Sequence, residues 1–410
     1  MNVERHQAII IGGGPAGLGA AIRLRERGVE DVLILEREDC PGGILRQCIH
    51  DGFGLTRFGE TLSGPEYAQR FVDGADNIPC ITGCTVLELT AEKTVTAACA
   101  GAVKQYQAQA VVLAMGCRER TRGALAIPGS RPAGIYTAGV AQNYINLRNI
   151  MVGREAVILG SGDIGLIMAR RLTLEGARVK CVCEVQPYPS GLPRNIEQCL
   201  HDYAIPLYLS HTVTDIHGRG RLEGVSISQV DEYMRPISGT EKAVPCDTLI
   251  LSVGLIPENE LSAAAGVRLD SRTKGAWVDE HFQTSIPGVF AAGNVLHVHD
   301  LVDFVTLESE ALADSAARYI QEGSLPPCPL EVRAGPGVGH VIPQKVSGTR
   351  DFTLSLRLSA PAQNTALTVS QNGRAVLTRK LRRALPAEML RLPIRADQLE
   401  ETGDLEVSVG

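Results

Sequence analysis

The sequence predicts an α/β fold with two Rossmann-like domains, followed by a small all-β, sandwich-like module. The glycine pattern G-x-G-x-x-G occurs twice, each time after a short apolar run and before a helical pattern, as in a βαβ unit. The second copy lies 148 residues after the first, from Gly12 to Gly160, and the acidic residue that ends each unit keeps this distance, from Glu36 to Glu184. From about residue 330, short alternating strands and turn residues indicate a module built from strands alone.

The first βαβ unit has the residue types that a bound dinucleotide requires. Residues 8–11 are an apolar run typical of a buried parallel strand. The glycines after it allow a tight turn and a close backbone approach to a pyrophosphate, while the helix N-terminus supplies unpaired N–H groups. Glu36 ends the second strand, where its carboxylate can accept hydrogen bonds from ribose hydroxyls. The glycines of this turn are Gly12, Gly14 and Gly17.

The second unit repeats this arrangement. The apolar run at 156–159 precedes Gly160, Gly162 and Gly165, and the next strand ends on Glu184. Two independent chance matches would not keep the same spacing. We therefore infer two dinucleotide-binding domains, whose common task is to bring two dinucleotides together.

The composition excludes several other classes of protein. The chain has 410 residues and a net charge of −6, which disfavours nucleic acid and anionic membranes as main partners. No apolar run approaches the roughly 18 residues of a membrane span, and the N-terminus enters a strand directly, without a signal-peptide pattern. The 11 cysteines are scattered and odd in number, which favours reduced thiols and a cytoplasmic location.

Further motifs give the chain a family resemblance. Between residues 6 and 322 it resembles two-dinucleotide-binding-domain flavoproteins of the pyridine nucleotide–disulfide oxidoreductase superfamily. The motifs that carry the resemblance, beyond the two glycine turns, are Ala-Met-Gly at 114–116, Val-Gly-x-x-Pro at 253–257 and Ala-Ala-Gly-Asn at 291–294.

The resemblance extends to a narrower group. Three segments are similar to bacterial FAD-dependent oxidoreductases that accompany an anaerobic-type glycerol-3-phosphate dehydrogenase. The A subunits of opine oxidase and hydrogen cyanide synthase are more distantly similar. The segments are Gly-Gly-Ile-Leu-Arg-Gln-Cys-Ile-His at 42–50, Gly-Cys-Arg-Glu-Arg-Thr-Arg-Gly at 116–123 and His-Val-His-Asp-Leu-Val-Asp at 297–303.

The resemblance implies a division into domains. Residues 1–120 and 282–325 are expected to form a discontinuous FAD-binding domain, and residues 121–281 an NAD(P)-binding domain. Residues 330–410 form the C-terminal β module, which carries no chemical motif and is interpreted as a docking or dimerisation module.

The first unit is implied to hold FAD. The glycine turn and the start of its helix would bind the pyrophosphate, Glu36 the adenosine ribose, and Val86 the adenine through its main chain. The helix at 303–321 would direct its N-terminus at the flavin, where it stabilises negative charge. The implied FAD residues are Gly12, Gly14, Pro15, Ala16, Gly17, Glu36, Gly42, Gly43, Val86, Ala114, Gly116, Gly293 and Asn294.

The second unit is implied to hold the nicotinamide dinucleotide. Glu184 would repel a 2′-phosphate, and no arginine immediately follows it, so we expect NADH to be preferred over NADPH. The implied residues are Gly160, Ser161, Gly162, Asp163, Gly165, Glu184 and Gly254.

The cysteine pattern disfavours dithiol chemistry. Disulfide reductases of this superfamily use a close cysteine pair, but residues 42–50 contain only Cys48, and residues 136–140 contain none. Cys48 lies between Arg46 and His50, which could lower its pKa and make it a single-thiol centre. The alternative is a packed cysteine in a loop on the flavin side.

The histidines at 297 and 299 suggest a metal site only weakly, because metal ligands come in sets of three or four. We expect no metal, and we expect His299 to lie beside the flavin as a second weak catalytic candidate.

These inferences converge on an FAD-dependent oxidoreductase. Hydride would pass between NAD(P)H and flavin N5, and electrons would leave to oxygen, to a small redox protein or to a partner dehydrogenase. The alternatives are a flavin subunit of a multi-subunit glycerol-3-phosphate or amine/opine-type dehydrogenase or oxidase, with a non-catalytic NAD site, and a purely binding role. A homo-oligomer is possible in each case.

Overall fold

The structure, a computed structural model, describes residues 3–410 and divides the chain into two compact units. Unit 1 comprises the chain up to Cys117 together with Pro257–Gly410, and unit 2 comprises Arg118–Ile256. From Val3 to Glu119 the elements are β1 (Val3–Ile11), α1 (Pro15–Glu26), β2 (Val32–Leu35), β3 (Asp51–Phe53), β4 (Leu62–Ser63), α2 (Gly64–Gly74), β5 (Cys80–Ile81), β6 (Cys84–Leu89), β7 (Thr94–Cys99), β8 (Ala102–Leu113) and β9 (Cys117–Glu119).

The middle of the chain forms unit 2. Its elements, with the strand that leaves it, are α3 (Arg122–Leu125), β10 (Ile135–Thr137), α4 (Ala138–Asn146), β11 (Glu155–Leu159), α5 (Asp163–Leu174), β12 (Arg178–Glu184), α6 (Pro193–Cys199), β13 (Leu207–Leu209), β14 (His211–Gly218), β15 (Leu222–Gln229), β16 (Lys242–Pro245), β17 (Thr248–Leu251) and β18 (Leu255–Pro257).

The remainder of the chain completes unit 1. Its elements are α7 (Glu260–Ala264), β19 (Val289–Ala291), α8 (Val302–Glu322), β20 (Leu330–Ala334), β21 (Val338–Ile342), β22 (Lys345–Val346), β23 (Phe352–Leu358), β24 (Ala362–Gln371), β25 (Arg374–Ala384), β26 (Leu390–Ile394) and β27 (Leu405–Val409).

Unit 1 is organised around a sheet of order β5-β2-β1-β8-β7-β6, with β19 paired to β8. Its β5, β2, β1, β8 and β19 run parallel, while β6, β7 and β8 form an antiparallel meander. The apolar run at 8–11 is buried on both faces of the sheet, as its composition predicts for a central parallel strand. Helix α8 packs closely on α1, since a Cβ on Gly19 would lie 2.7 Å from the Oγ of Ser309.

Unit 2 repeats the plan with a parallel sheet of order β10-β17-β11-β12-β13 and an antiparallel sheet of order β14-β15-β16. The predicted α/β class with two Rossmann-like sheets is therefore confirmed.

The C-terminal residues form two sheets, of order β22-β20-β27-β24-β25 and β21-β23-β26. Apolar side chains from both sheets, among them Leu356 and Val369, share one core. This is the predicted all-β, sandwich-like module. Within the described residues, no helix is long and apolar enough to cross a membrane.

Residues 257–281 differ from the predicted domain division. The sequence places them in the NAD(P) domain, but they belong to unit 1. Val267, Ala276 and Val278 are buried in the same apolar cluster as Ile9 and Val111 of the unit 1 sheet. The boundary is set by this packing rather than by a break in composition.

The cysteines also differ from expectation in one place. Cys84 and Cys99 lie directly opposite each other on β6 and β7, with Cα atoms 4.2 Å apart, and form a disulfide. The prediction that all thiols are reduced is wrong for this pair. The other nine cysteines are free.

Candidate functional site: two glycine cradles

The turn between β1 and α1 can be built only with glycine at two positions. Gly12 has φ +109°, and a Cβ there would lie 2.4 Å from the carbonyl oxygen of Ala114. A Cβ on Gly17 would lie 1.8 Å from the oxygen of Gly12. The first glycine therefore lets the strand turn beside β8, and the last lets the helix pack against the turn, as the spacing predicts.

Gly14 has a different role, because its missing side chain leaves space. The nearest atom to a Cβ placed there is the Cα of Gly43, at 3.8 Å. Gly43 has φ +60°, and its own Cβ would lie 2.9 Å from the Cα of Gly14. Gly14 is the N-cap residue of α1 and no side chain caps that helix, so its first N–H groups are available for phosphate oxygens. This glycine-lined cradle fits a dinucleotide pyrophosphate.

Glu36 closes the first cradle. The side chain is buried, its Oε2 accepts a hydrogen bond from the backbone N–H of Gly13 at 2.5 Å, and its Oε1 accepts one from Glu38 at 2.7 Å. Backbone donors alone therefore hold the carboxylate against the glycine turn, the position from which a ribose would be bound.

The second cradle is built from the same parts. Gly160 has φ +98°, and a Cβ there would lie 2.0 Å from the oxygen of Ser252. The N–H of Gly165 donates to the Oγ of Ser252 at 3.0 Å. Gly162, like Gly14, leaves space, since the nearest atom to its Cβ position is 3.5 Å away.

Glu184 is held by more donors than Glu36. Its Oε2 accepts from the N–H (3.0 Å) and the Oγ (2.6 Å) of Ser161 and from the Oγ of Ser190 (2.7 Å), and its Oε1 accepts from the N–H of Gln186 (3.0 Å). The side chain is buried. Sequence reasoning missed Ser190, because a serine in a loop gives no signal before the loop's path is known.

Asp163 has a structural contact that the sequence did not indicate. Its Oδ1 accepts from the N–H of Leu192 (2.8 Å) and the Nδ2 of Asn195 (2.6 Å). Together with the bond between Ser190 and Glu184, these contacts hold residues 190–195 against the start of α5.

The other predicted positions in the two units lie at strand ends or in turns. Ala114 is buried where β8 ends, and Gly116 follows with φ +73°. Val86 is half-buried on β6 and pairs with β7. In unit 2, Gly254 is exposed with φ +101°, and its carbonyl accepts from the N–H of Arg120 at 3.1 Å.

The residues that follow β19, Gly293 and Asn294, lie beside the first glycine cradle. Gly293 has φ +75°, and a Cβ there would lie 2.9 Å from the Cβ of Ala16 in the first turn of α1. Asn294 uses its polar atoms within the protein: its Oδ1 accepts from the N–H of His299 at 3.0 Å, and its Nδ2 donates to the Sγ of Cys117 at 3.6 Å.

A buried cluster next to this strand end was missed by sequence reasoning. Glu308, on α8, accepts from the N–H of Gly293 at 2.8 Å and contacts the Nε2 atoms of His297 at 2.8 Å and His299 at 3.4 Å. Only the helical path of residues 302–322 brings the carboxylate back to the loop.

Charge and burial decide the protonation of the cluster. Burial alone would raise the pKa of the Glu308 carboxyl, but the two imidazoles hold that pKa well below its usual range. Burial lowers the pKa of His297 and favours its neutral form. Three ligand-type groups meet here, with their ligand atoms all within 4.8 Å of one another, and the shortest contact among them is the hydrogen bond between His297 and Glu308 at 2.8 Å.

The C-terminal module contacts the same loop. The Nη2 of Arg357 donates to the carbonyl of Val298 at 3.1 Å and lies 3.6 Å from Asp300. The N–H of Met389 donates to the other carboxylate oxygen of Asp300 at 3.1 Å. His340 packs its ring edge-on against His297 at 5.8 Å between centroids. The module thus supports the loop that carries His299.

Helix α8 begins at Val302, next to Asp303, which is buried. The Asp303 carboxylate accepts from the N–H groups of Gly54 (3.1 Å) and Arg57 (2.8 Å). The first turn of α8 therefore fixes the loop that follows Cys48.

Cys48 does not have the environment of a reactive thiol. Burial raises its pKa to about 12, and its Sγ lies 3.4 Å from the carbonyl of Ile44. The thiolate, which is the nucleophilic form, is disfavoured at neutral pH. The geometry favours the packed-cysteine alternative for this position.

The family model of the pyridine nucleotide-disulphide oxidoreductases matches residues 6–317. The chain belongs to this family. It is therefore an FAD/NAD(P)-dependent oxidoreductase, and FAD and NAD(P) are the cofactors typical of the family. The C-terminal module lies outside the matched residues.

Several curated proteins of the family are similar in sequence. The chain is 26% identical over 315 residues to an opine oxidase subunit of Agrobacterium tumefaciens, covering 70% of this chain and 61% of the relative. It is 26% identical over 333 residues to thioredoxin reductase of Listeria innocua, covering 77% and 94%. The hydrogen cyanide synthase chain found to be similar is HcnB of Pseudomonas protegens, 27% identical, with 70% and 65% covered. The chain thus spans less than two thirds of the length of the opine oxidase and hydrogen cyanide synthase relatives.

Solved structures share the fold. Thioredoxin reductase of T. acidophilum superposes with a TM-score of 0.64 at 23% identity, over 77% of this chain and 98% of that one. A NAD-dependent persulfide reductase of A. fulgidus gives a TM-score of 0.60 at 20% identity, over 89% and 68%.

Proposed function

We propose that the chain oxidises NADH with FAD, holding FAD in the first cradle and NADH in the second. The observation that carries the proposal is the repetition of one geometry: in each cradle a buried carboxylate accepts from the N–H of the residue after the first glycine, Gly13 or Ser161. When bound, the flavin would supply hydride chemistry at its N5 atom.

The chain's own residues bind and orient in this proposal. The first N–H groups of α1 and α5 bind the two pyrophosphates, and Glu36 and Glu184 bind ribose hydroxyls. Glu308 remains ionised beside Gly293 and fixes the histidine pair. His299 shapes the flavin environment in this proposal, whereas Cys48 has only a packing role.

The preference for NADH rests on Glu184. A 2′-phosphate beside this carboxylate would be repelled. The groups that donate hydrogen bonds to Glu184, from Ser161, Gln186 and Ser190, are all uncharged. Steady-state kinetics with both nucleotides tests this, and a higher kcat/KM for NADPH would overturn it.

Anaerobic mixing tests the central proposal. The purified holoprotein is mixed with NADH under nitrogen, and the visible flavin absorbance is followed. We expect the absorbance to bleach at one NADH per flavin. If NAD binds while the flavin stays oxidised, the second cradle is a binding site only.

A second candidate function is supported by the relatives. The opine oxidase and hydrogen cyanide synthase relatives are both, by their names, subunits of their enzymes. The chain could likewise be the flavin component of a dehydrogenase or oxidase that acts on glycerol 3-phosphate or an amine, with electrons passing between its polypeptides. Co-purification of a second polypeptide at fixed stoichiometry, with substrate-dependent bleaching in the absence of NADH, would favour this candidate.

The cellular location is a further part of the proposal. Nine of the cysteines are free, which suits a reducing cytoplasm. Alkylation of the protein in cells followed by mass spectrometry would show whether Cys84 and Cys99 are joined there.

A further inference from the structure

The segment that comprises β25 and β26 of the C-terminal module carries a charge opposite to that of the chain. Residues 374–395 contain seven basic residues and one acidic residue, Glu388, whereas the whole chain has a net charge of −6. The basic residues are Arg374, Arg379, Lys380, Arg382, Arg383, Arg391 and Arg395, and all of them are exposed.

Most of these basic side chains form no ion pair or ring contact within residues 3–410. Arg395 pairs with Asp397, and Arg391 lies over the ring of Phe304 at 5.1 Å. Among residues 3–410, no acidic side chain forms an ion pair with Lys380 or Arg382, or with the arginines that flank them at 374, 379 and 383.

Five of the seven basic residues lie on β25, which forms an open sheet edge, whereas Arg391 and Arg395 lie on or just after β26 in the other sheet. β25 is the last strand of the five-stranded sheet and pairs only with β24 within the described part of the chain. Its 11 residues present backbone N–H and C=O groups on the outer side, where an extended segment can add as a further strand.

Protection of the edge does not account for this pattern by itself. Charged residues, lysine above all, prevent the edge strands of two protein molecules from pairing with each other. A few charged residues would suffice for that purpose. Here four of the five basic residues of β25 are arginine, the residue that is enriched in interfaces and binds carboxylates in a bidentate geometry.

We propose that β25 is a docking surface for a protein partner with an acidic extended segment, which pairs along the strand while its carboxylates contact the arginines. A nucleic acid fits less well, because residues 374–395 contain no aromatic side chain for base stacking and half of the strand-edge groups are carbonyls, which repel phosphates. The inference does not depend on which cofactors the cradles hold.

The test uses the full-length holoprotein and two labelled probes. One is an extended peptide that alternates Glu and Val, and the other is a 20-base-pair DNA duplex, which carries about one negative charge per 1.7 Å of its length. Fluorescence anisotropy gives the Kd of each at low and at physiological salt. Hydrogen exchange of residues 374–384 reports whether the peptide protects the strand amides.

The key variant is the double reversal K380E/R382E, and the matched control is R5E/R219E, which makes the same charge change at exposed sites elsewhere. We expect K380E/R382E to weaken peptide binding at least about tenfold and the control to change it by less than about twofold. Protection of the β25 amides should accompany binding. Equal losses in both variants, tighter binding of the duplex, or binding without amide protection would each overturn the proposal.

NADH-dependent bleaching of the flavin should be the same in K380E/R382E as in the wild type, because β25 is not part of either cradle. A wild type that fails to bleach would therefore overturn the proposed function and leave the docking surface untouched.

Discussion

The two glycine turns are built alike, but their carboxylates are held differently. Glu36 accepts only from backbone N–H groups, those of Gly13 and Glu38. Glu184 keeps the two equivalent bonds, to Ser161 and Gln186, and adds two serine hydroxyls.

This difference follows from single residues at matched positions. Gly13 in the first turn corresponds to Ser161 in the second, and only Ser161 brings a hydroxyl. Ser190 has no counterpart bound to Glu36. The first carboxylate thus keeps more lone pairs free for a ligand, whereas the second is stabilised by the protein when no ligand is bound.

The largest expected effect comes from comparing two glycines of the first cradle, one required for packing and the other for cofactor binding. Gly17→Ala would place a Cβ 1.8 Å from the oxygen of Gly12, and we expect it to cost about 3 kcal/mol or more. Gly14→Ala places its Cβ in open space, and we expect it to leave the apoprotein stable and to abolish FAD binding. Denaturant unfolding and flavin content check both. Equal stabilities for the two variants would contradict the roles assigned to these glycines.

The next prediction compares the carboxylates themselves. Because Glu184 accepts four hydrogen bonds within the protein and Glu36 two, we expect Glu184→Gln to cost about 2–3 kcal/mol of stability and Glu36→Gln about 1 kcal/mol. Flavin content should fall in Glu36→Gln alone, and NADH affinity in Glu184→Gln alone. A larger stability loss in Glu36→Gln would reverse the comparison.

The stability of the two units should also respond differently to low pH. Burial lowers the pKa of His281 to about 4 and that of His340 to about 3, and both lie in unit 1. The unfolded chain binds more protons than the folded one below the ordinary histidine pKa of 6.5, so stability falls as the pH drops from 6.5 towards 4. Burial raises the pKa of Asp279 to about 6, which acts in the opposite direction and offsets part of the loss.

We expect unit 1 to lose about 2 kcal/mol between pH 7 and pH 5. The single tryptophan, Trp277, lies in unit 1, so its fluorescence in urea titrations reports this unit. His340→Phe should flatten the pH dependence. An unchanged slope in that variant would show that the histidine is not responsible.

The smallest expected effect concerns Ser190. Ser190→Ala removes one donor to Glu184 and should cost about 1 kcal/mol. The same change frees one lone pair for a ribose hydroxyl, so we expect NADH affinity to stay equal or to rise. Calorimetric titration with NADH is the measurement, and a clear loss of affinity would mean that Ser190 positions the carboxylate for the nucleotide rather than competing with it.

The sequence predicts the parts of the fold that depend on local chemistry. Gly12, Gly17 and Gly160 are required by close backbone approaches, and the strand-end acids follow from a fixed spacing. These signals indicate both cradles and the order of the elements.

Other parts depend on contacts between distant residues. Glu308 reaches His297 only because α8 returns along the sheet, and the packing of Val278 against the first sheet moves a domain boundary. The alternating residues between 81 and 113 predict a meander, but the bond between Cys84 and Cys99 also requires the exact register of β6 against β7. Each of these contacts is set by tertiary structure, which a local pattern does not encode.

The contacts of Arg357 and Met389 with the loop at 297–300 have a consequence for biosynthesis. Translation proceeds from the N-terminus, so the loop emerges from the ribosome well before the arginine that holds its carbonyl and the amide that binds Asp300. The glycine turns can form early, but this loop obtains its final support only when the last strands have been made. We therefore expect the loop to reach its final conformation only after Met389 has been synthesised and has left the ribosome.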